Sequence, residues 1–330
     1  MVKKRLQFYL NRFMSSISPR LRKALVTGGA GFIGGHLVRT LLEAGTEVVV
    51  LDNFRTGSPD NLAGLPAPGV RLVRGCITDR ATVRDAVQGC DAVFHLAALV
   101  SVPESMERIH ECVTLNVTGL LTVLEEAAAA GARKLVLSSS AAIYGDDPEV
   151  PKREDMRPAP KSPYAITKLD GEYYCALFAA AGRIETASLR YFNVFGPRQN
   201  PDSAYAAAVP IFIRRALAGQ PVAIHGDGGQ TRDFVYVRDV VAANLFAART
   251  AGLTGVFNVG YGGSLTILEL AQRIIAQTGS ASRIVHEAPR PGDVRHSRAS
   301  AEKLLAAGWT PGYDLDRGLA GTLAWYREQH

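Results

Sequence analysis

Short apolar segments alternate with segments of helical periodicity from residue 24 to residue 193. The apolar segments, among them KALVTG, EVVVLD, AVFHLAA and KLVLSSS, contain few polar residues, which is typical of strands buried on both faces. Strands of this kind, separated by helices, form a parallel sheet that helices cover on both sides. The alternation therefore predicts a doubly wound α/β fold.

The net charge of +6 is concentrated at the start of the chain. Residues 1–22 contain several Lys and Arg and no acid, and the remainder is close to neutral, so nucleic-acid binding is not expected. This arm is either a basic amphipathic helix that touches a membrane surface or a short segment on the outside of the fold. No uninterrupted apolar run of about 18 residues occurs, so stable membrane insertion is not expected.

The four cysteines show no C-x-x-C spacing, and the histidines are scattered along the chain. This pattern is typical of reduced thiols rather than of a disulfide framework or a zinc site. We therefore expect a cytoplasmic protein without a bound metal.

The stretch TGGAGFIGGHL follows the first predicted strand and opens the first predicted helix. Gly28 permits a tight turn, Gly31 lets the backbone approach a pyrophosphate at the helix N-terminus, and Gly34 permits close helix–strand packing. Asp52 ends the second strand, where a carboxylate can accept hydrogen bonds from an adenosine ribose and repel a 2′-phosphate. In this strand–loop–helix context the motif predicts NAD, rather than NADP, as the cofactor.

Three serines end the fifth predicted strand, and the motif YAITK follows on the next predicted helix. Ligands bind at this edge of a doubly wound sheet. Tyr164 and Lys168 are four residues apart, so both side chains project from one helix face. The Lys168 ammonium is expected to lower the pKa of the Tyr164 phenol from about 10, so that the phenolate takes a proton from a sugar hydroxyl. Ser140 is predicted to hydrogen-bond the same oxygen.

With these motifs in order, the chain resembles the extended short-chain dehydrogenases/reductases, specifically the UDP-glucose/UDP-N-acetylglucosamine 4-epimerase-like family. The motifs that carry the resemblance include TGGAGFIG, LDNFRTGSPDNL, HLAALVSVPES, SSSAAIYG, YAITK, LRYFNVFGPRQ, DGGQTRDFVYV and RPGDVRHSRAS. The resemblance implies a catalytic trio of Ser140, Tyr164 and Lys168. It also implies that NAD contacts a larger set of residues, namely Gly28, Gly31, Phe32, Ile33, Gly34, Asp52, Asn53, Gly57, Ile77, Leu96, Ala97, Ala98, Asn116, Ser138, Tyr164, Lys168 and Tyr191.

The same resemblance implies a site for a UDP-sugar. Arg232 and Arg290 offer planar donors suited to a diphosphate, and Asp293 can accept from ribose hydroxyls. One position departs from the family pattern, because Cys76 stands where relatives have an Asp that accepts from the adenine amine. The residues implied for the substrate are Ser101, Ser140, Asn193, Ala208, Val209, His225, Arg232, Arg290, Asp293 and Ser297.

The regular alternation of predicted strands and helices stops after Asn193, where a loop-rich stretch with Pro, Gly and Asn begins. We predict three parts: a basic arm over 1–22; an NAD-binding doubly wound parallel Rossmann sheet over 23–192, to which 236–260 returns; and a smaller C-terminal α/β substrate-binding lobe, which comprises 193–235 and 261–330. The family further implies a homodimer formed through the apolar helices 117–130 and 172–181, the second holding Tyr173, Tyr174 and Phe178.

The reaction is inferred from what stands beside the catalytic residues. Ala141 and Ala142 occupy the places of an Asp-Glu pair in related 4,6-dehydratases, which favours inversion at C4 through a transient 4-keto intermediate. Ser297 matches the family's gate position, where a small residue leaves room for an N-acetyl group, so we expect UDP-GlcNAc/UDP-GalNAc, with UDP-Glc/UDP-Gal also accepted. Three alternatives stay open: a UDP-glucuronic acid 4-epimerase whose Arg295 or Arg298 meets the carboxylate, a dehydratase or decarboxylase of the same family, and an NAD-binding sensor without turnover.

Overall fold

The computed structural model describes residues 20–66, 69–201, 207–289 and 294–329. Most of the basic arm, and the predicted substrate residues Arg290 and Asp293, therefore lie outside the described residues. In chain order, the strands are β1 (Lys23–Thr27), β2 (Glu47–Asp52), β3 (Val70–Arg74), β4 (Ala92–His95), β5 (Lys134–Ser140), β6 (Glu185–Tyr191), β7 (Asn193–Phe195), β8 (Val222–His225), β9 (Thr231–Arg232), β10 (Phe234–Tyr236), β11 (Gly255–Val259), β12 (Leu265–Thr266) and β13 (Ile284–Glu287).

Helices connect most of these strands. They are α1 (Phe32–Glu43), α2 (Arg80–Val87), α3 (Val102–Glu107), α4 (Ile109–Ala129), α5 (Pro163–Ala180), α6 (Ala208–Leu217), α7 (Val237–Arg249), α8 (Ile267–Thr278), α9 (Glu302–Ala306) and α10 (Leu315–Glu328).

A seven-stranded sheet in the order β3-β2-β1-β4-β5-β6-β11 forms the centre of the protein. All neighbouring strands in it run parallel. The order reverses direction between β1 and β4, as it does in dinucleotide-binding folds. The predicted doubly wound parallel sheet is confirmed, and the segment from α7 to β11 adds the last strand beside β6.

Two apolar clusters cover the two faces of this sheet. One contains residues of α1 and α7, such as Leu37 and Val240, and the other contains residues of α2, α4 and α5, such as Val123 and Phe178. All four residues of β4 are buried, so this central strand contacts helices on both faces.

The remaining strands form three two-stranded pairs, β7 with β10, β8 with β13, and β9 with β12. Helices α6, α8 and α10 pack against this part through a third buried cluster that includes Phe212, Ile274 and Leu323. This smaller α/β layer stands beside the carboxyl ends of the main sheet, where its residues Val194 and Ala207 help to line a cavity.

The extended segment IETASLRYFNV contains two strands, β6 and β7. The Phe192 N–H donates to the Val259 carbonyl at 3.1 Å, and the Asn193 N–H donates to the Asp233 carbonyl at 3.0 Å. The chain therefore leaves β11 and joins β10 within one residue. Periodicity does not reveal this change of partner, because the backbone stays extended on both sides of it.

The predicted helix 117–130 is part of a longer helix that begins at Ile109 and contains a π-helical turn over Thr114–Thr118. By length and composition alone this helix could cross a membrane, but half of its most apolar window is buried inside the protein. It packs on α2 and α5, as a core helix does. The π-helical turn places Asn116 towards the interior, where it serves the site described next.

Candidate active site

The carboxyl ends of β1, β2, β4 and β5 open into one cavity with a volume of about 950 Å³. This volume is at the upper end of the range for small-molecule sites. The cavity lies where the strand order reverses, which is the position at which doubly wound sheets bind ligands.

The glycine loop forms one wall of the cavity by backbone shape alone. Gly28 has a φ of +70°, and a Cβ there would lie 2.7 Å from the Ala97 nitrogen. A Cβ at Gly34 would lie 2.2 Å from the Gly28 carbonyl oxygen, so α1 can approach the loop only without a side chain at that position. Helix α1 begins directly after Gly31 and presents its N-terminal N–H groups at this wall.

Asp52 is buried at the end of β2, and two backbone groups hold its carboxylate. Oδ2 accepts from the Ala30 N–H at 2.9 Å, and Oδ1 accepts from the Phe54 N–H at 2.8 Å. Its orientation is therefore set before any ligand binds. A glycine loop that admits a pyrophosphate and an oriented carboxylate for a ribose fit NAD.

The predicted catalytic residues meet at the opposite wall of the same cavity. Helix α5 begins at Pro163, where Ser162 caps it by accepting from the Ala165 N–H at 3.2 Å. The Lys168 Nζ donates to the Ser138 carbonyl at 2.7 Å and lies 5.7 Å from the centre of the Tyr164 ring. Ser140 hydrogen-bonds the Tyr164 phenol.

The prediction that the pKa of Tyr164 is lowered is wrong for the chain without NAD. Burial raises the pKa of this phenol, and the hydrogen bond with Ser140 offsets the rise only in part. Burial also lowers the pKa of Lys168 to about 8, against Cys112 and Glu172, which raise it. Removal from water is the largest cause of both pKa shifts, because both side chains are enclosed by protein.

Most of the predicted cofactor residues line this cavity, while Asn116 does not. Asn116 accepts from the Leu99 N–H at 2.7 Å and donates to the Leu99 carbonyl at 3.0 Å and to the Thr167 hydroxyl at 3.0 Å. It therefore ties the loop after β4 to α5. The predicted residues on the cavity wall are Gly28, Gly31, Phe32, Ile33, Gly34, Asp52, Asn53, Gly57, Ile77, Leu96, Ala97, Ala98, Ser101, Ser138, Ser140, Tyr164, Lys168 and Tyr191.

The other described substrate residues lie in the smaller layer, outside the lining of the cavity. Arg232 belongs to β9 and directly follows Thr231. The Ser297 N–H donates to the Thr231 carbonyl at 3.1 Å, so Arg232 and Ser297 lie close to each other. His225 faces the Ala288 carbonyl at 3.2 Å. The remaining members are Asn193, whose amide donates to the Asp233 carbonyl at 3.1 Å, and Ala208 and Val209, which begin α6.

A group of three charged residues at the cavity was missed by sequence reasoning. The Arg55 guanidinium, in the loop after β2, reaches the Glu104 carboxylate of α3 at 2.6 Å and also pairs with Glu111 of α4. Arg55 and Glu104 both line the cavity. The pairs join the loop after β2 to α3 and α4, and no spacing in the sequence indicates that residues 55, 104 and 111 meet.

Cys76, the departure from the family pattern, also lines the cavity. Its sulfur accepts from the Thr78 hydroxyl at 3.0 Å. Within the described ranges, no group of three or more His, Cys, Asp or Glu is arranged to hold a metal ion. A phenol, an amine and a hydroxyl, those of Tyr164, Lys168 and Ser140, line this cavity together with the glycine loop.

The profile of the NAD dependent epimerase/dehydratase family matches residues 24–260. The chain belongs to this family. A UDP-glucose 4-epimerase of Mycolicibacterium smegmatis is 38% identical over 313 residues, which are 93% of this chain and 99% of that protein. A UDP-N-acetyl-alpha-D-glucosaminuronate decarboxylase of Bacillus cytotoxicus is 34% identical over 322 residues, with 93% and 98% covered.

The structure resembles a UDP-N-acetylglucosamine 4-epimerase of Methanobrevibacter ruminantium M1 that was solved with UDP-N-acetylmuramic acid. The TM-score is 0.91 at 35% identity, and 94% of this chain and 100% of that chain are covered. Family membership confirms NAD as the cofactor and the resemblance found in the sequence. The protein is an enzyme of the UDP-sugar 4-epimerase group, which are isomerases.

Proposed function

We propose that the protein inverts C4 of UDP-GlcNAc and UDP-GalNAc, and also of UDP-Glc and UDP-Gal, through a transient 4-keto sugar. The observation that carries this proposal is the convergence of Ser140, Tyr164 and Lys168 on one wall, with only methyl groups, those of Ala141 and Ala142, directly after Ser140. A dehydratase or decarboxylase needs further acid–base groups to move protons at other carbons. The set present here is sufficient for one hydroxyl proton and one hydride.

Each residue of the trio has a separate role in this proposal. Tyr164 takes the proton of the sugar 4-hydroxyl as C4 is oxidised and returns it after the ketone has presented its other face. Ser140 hydrogen-bonds the reacting oxygen, and Lys168 provides a positive charge near the phenol. NAD, when bound, supplies the hydride acceptor and donor and a further positive charge that favours the phenolate. The proton and the hydride both return to the sugar, so no net oxidation occurs.

We infer that the smaller layer holds the UDP moiety and the sugar. Arg232 and Ser297 lie together beside Thr231, which is consistent with one residue binding phosphate and the other bordering the sugar. Asn193, Ala208, Val209 and His225 complete the proposed surface, with Ser101 on the cavity side. Arg290 and Asp293 are retained in the proposal on their sequence motif only.

A neutral sugar is favoured over a uronic acid by two arginines. Arg295 donates to both carboxylate oxygens of Asp227, at 2.8 and 2.9 Å. Arg298 donates through Nε to the Gly262 carbonyl at 2.8 Å. Both guanidinium groups that could meet a uronate carboxylate already bind within the chain, although the Arg295 pair is exposed and its contribution is small.

Separate incubations with UDP-GlcNAc, UDP-Glc and UDP-GlcA test the proposal. Anomeric proton signals identify each product, and absorbance reports any release of NADH. We expect UDP-GlcNAc to give UDP-GalNAc, UDP-Glc to give UDP-Gal more slowly, and no net NADH. Turnover of UDP-GlcA alone, a 4-keto-6-deoxy product, or carbon dioxide would contradict it. No product from any of the three would indicate a sensor without turnover.

We also propose a cytoplasmic homodimer in which α4 and α5 pair with their counterparts. Ile109, Val113, Ile166, Tyr173 and Leu177 form an exposed apolar face on these helices, and Leu177 is 63% exposed. Phe178, expected from the sequence to join this face, is instead buried in the core. Light scattering should give twice the monomer mass for the wild type and the monomer mass for Leu177→Asp. A monomeric wild type would contradict the proposal.

A further inference from the structure

A buried ion pair stands directly behind the catalytic residues and takes no part in the chemistry described above. Glu172 lies on α5, two turns after Tyr164 and one turn after Lys168, and Arg190 lies on β6. The Arg190 Nε donates to Glu172 Oε1 at 2.8 Å, and Nη2 donates to Oε2 at 2.7 Å. We propose that this pair, together with Ser139, is a positioning element that holds Lys168 in place and in its charged form during the proposed epimerisation.

The pair joins three elements at one point. Ser139 of β5 donates to Glu172 Oε1 at 2.5 Å, and in the sheet Ser139 is the direct neighbour of Arg190. Glu172, Arg190 and Ser139 are 4%, 3% and 3% exposed, so water does not compete for these bonds. One carboxylate on the catalytic helix therefore binds both β5, which carries Ser140, and the neighbouring strand β6.

The position of Ser139 explains the use of three successive serines. Successive side chains of a strand point to opposite faces, so the Ser139 hydroxyl, which bonds Glu172 of α5, lies on the face opposite to the Ser138 and Ser140 side chains. Ser140 hydrogen-bonds Tyr164, and the Ser138 carbonyl accepts from Lys168 at 2.7 Å. Ser138 and Ser140, which contact Lys168 and Tyr164, are thus the two direct neighbours of Ser139, the residue that attaches β5 to Glu172 of α5. A shift of this anchor would move both contacts together.

The charge of Glu172 also bears on Lys168. The titratable groups that face the Lys168 amine are Tyr164 and Glu172 on its own helix, Cys112 on α4 and His95 on β4. Burial raises the pKa of Cys112 and lowers the pKa of His95 to about 3, so both are neutral near pH 7. Glu172 is then the one anion of this group. It opposes the burial that lowers the pKa of Lys168 to about 8.

The other end of the same two strands provides a comparison, in which the Glu185 side chain is 44% exposed. Lys134 of β5 and Glu185 of β6 are also direct neighbours in the sheet, and their charges are 2.9 Å apart. This pair is not part of the cavity lining, and its further hydrogen bonds join Thr250, Gly252 and Leu253. Buried ion pairs contribute little net stability compared with apolar packing, so a purely structural need does not explain the pair at the catalytic end.

Glu172→Gln and the control Glu185→Gln test the inference. Each keeps the size of the side chain and removes one charge. For Glu172→Gln we expect kcat to fall about tenfold to a hundredfold with little change in KM, because the reacting groups are displaced while substrate contacts remain. The alkaline limb of kcat should move to lower pH, because loss of the neighbouring anion lowers the pKa of Lys168. Glu185→Gln should change neither kcat nor the pH profile.

Two further measurements keep the test decisive. The ¹³Cε signal of Lys168, assigned by its loss in Lys168→Arg, should titrate at lower pH in Glu172→Gln than in the wild type. This readout does not depend on turnover, so it separates failure of the inference from failure of the proposed function, which wild-type inactivity on all UDP-sugars would reveal. If Glu172→Gln does not fold, Ser139→Ala should lower kcat without moving the pH profile. An unchanged Lys168 titration, or an equal shift in Glu185→Gln, would overturn the inference.

Discussion

The cofactor wall, formed by the glycine loop and Asp52, and the proposed substrate surface, formed by residues such as Arg232 and Ser297, are built in different ways. At the cofactor wall, backbone geometry does most of the recognition, through Gly28, Gly34 and the two N–H groups that orient Asp52. On the substrate surface, side chains such as Arg232 and Ser297 stand on a two-residue strand and on irregular chain. Under the proposed function, the sheet therefore determines cofactor binding, whereas a few exchangeable side chains determine which sugar binds. Substitutions on the two surfaces should separate these properties.

Tyr164→Phe should separate chemistry from cofactor binding most strongly. Loss of the only predicted proton acceptor should lower kcat at least about a thousandfold, while the phenyl ring preserves the cavity wall. NAD affinity, measured by calorimetry, should stay within about twofold. Tyr173→Phe, an exposed tyrosine on the same helix, is the control and should be unaffected. Retained turnover in Tyr164→Phe would remove this residue as the proton acceptor.

Ser297→Tyr should affect the substrate surface alone. A bulky ring at this position should reduce kcat/KM for UDP-GlcNAc about thirtyfold, because it fills the space for the N-acetyl group, and should reduce it far less for UDP-Glc. Ser297→Ala, which adds no bulk, should leave the preference unchanged. Steady-state kinetics on both substrates measure the ratio. Equal losses on the two substrates would eliminate the gate role.

Arg55→Ala should lower the affinity for NAD without changing the preference among UDP-sugars. The substitution removes the pairs with Glu104 and Glu111, which join the loop after β2 to α3 and α4. Because these pairs are partly exposed, we expect NAD to bind roughly fivefold more weakly, with a smaller effect at high salt. Arg71→Ala, which breaks an exposed pair with Asp85, is the control. Equal NAD affinity in the wild type and Arg55→Ala would show that the pairs do not retain the cofactor.

Cys76→Asp should increase the affinity for NAD, and this is the smallest effect expected among the four substitutions. A carboxylate at this point of the wall could accept from the adenine amine, which the thiol does poorly, so NAD should bind about threefold more tightly. Cys76→Ser tests whether size rather than charge matters and should leave affinity nearly unchanged. Calorimetry with NAD measures both. Weaker binding in Cys76→Asp would mean that the adenine amine lies elsewhere.

The sequence by itself determined the features that are local along the chain. The glycine loop, Asp52 and the Tyr164–Lys168 spacing each depend on a few consecutive residues within one element, so their geometry follows from strand and helix periodicity. The alternation of apolar strands with helices determined the doubly wound sheet for the same reason. The division into domains and the individual binding roles stay predictions.

Only the tertiary structure decided what depends on residues far apart in sequence. It pairs Arg55 with Glu104 and joins Ser139, Glu172 and Arg190 around one carboxylate. It also reverses the expected direction of the Tyr164 pKa, because desolvation depends on everything that surrounds the phenol rather than on its helical neighbour alone. Electrostatic environment is a property of the assembled interior, and no short motif carries it.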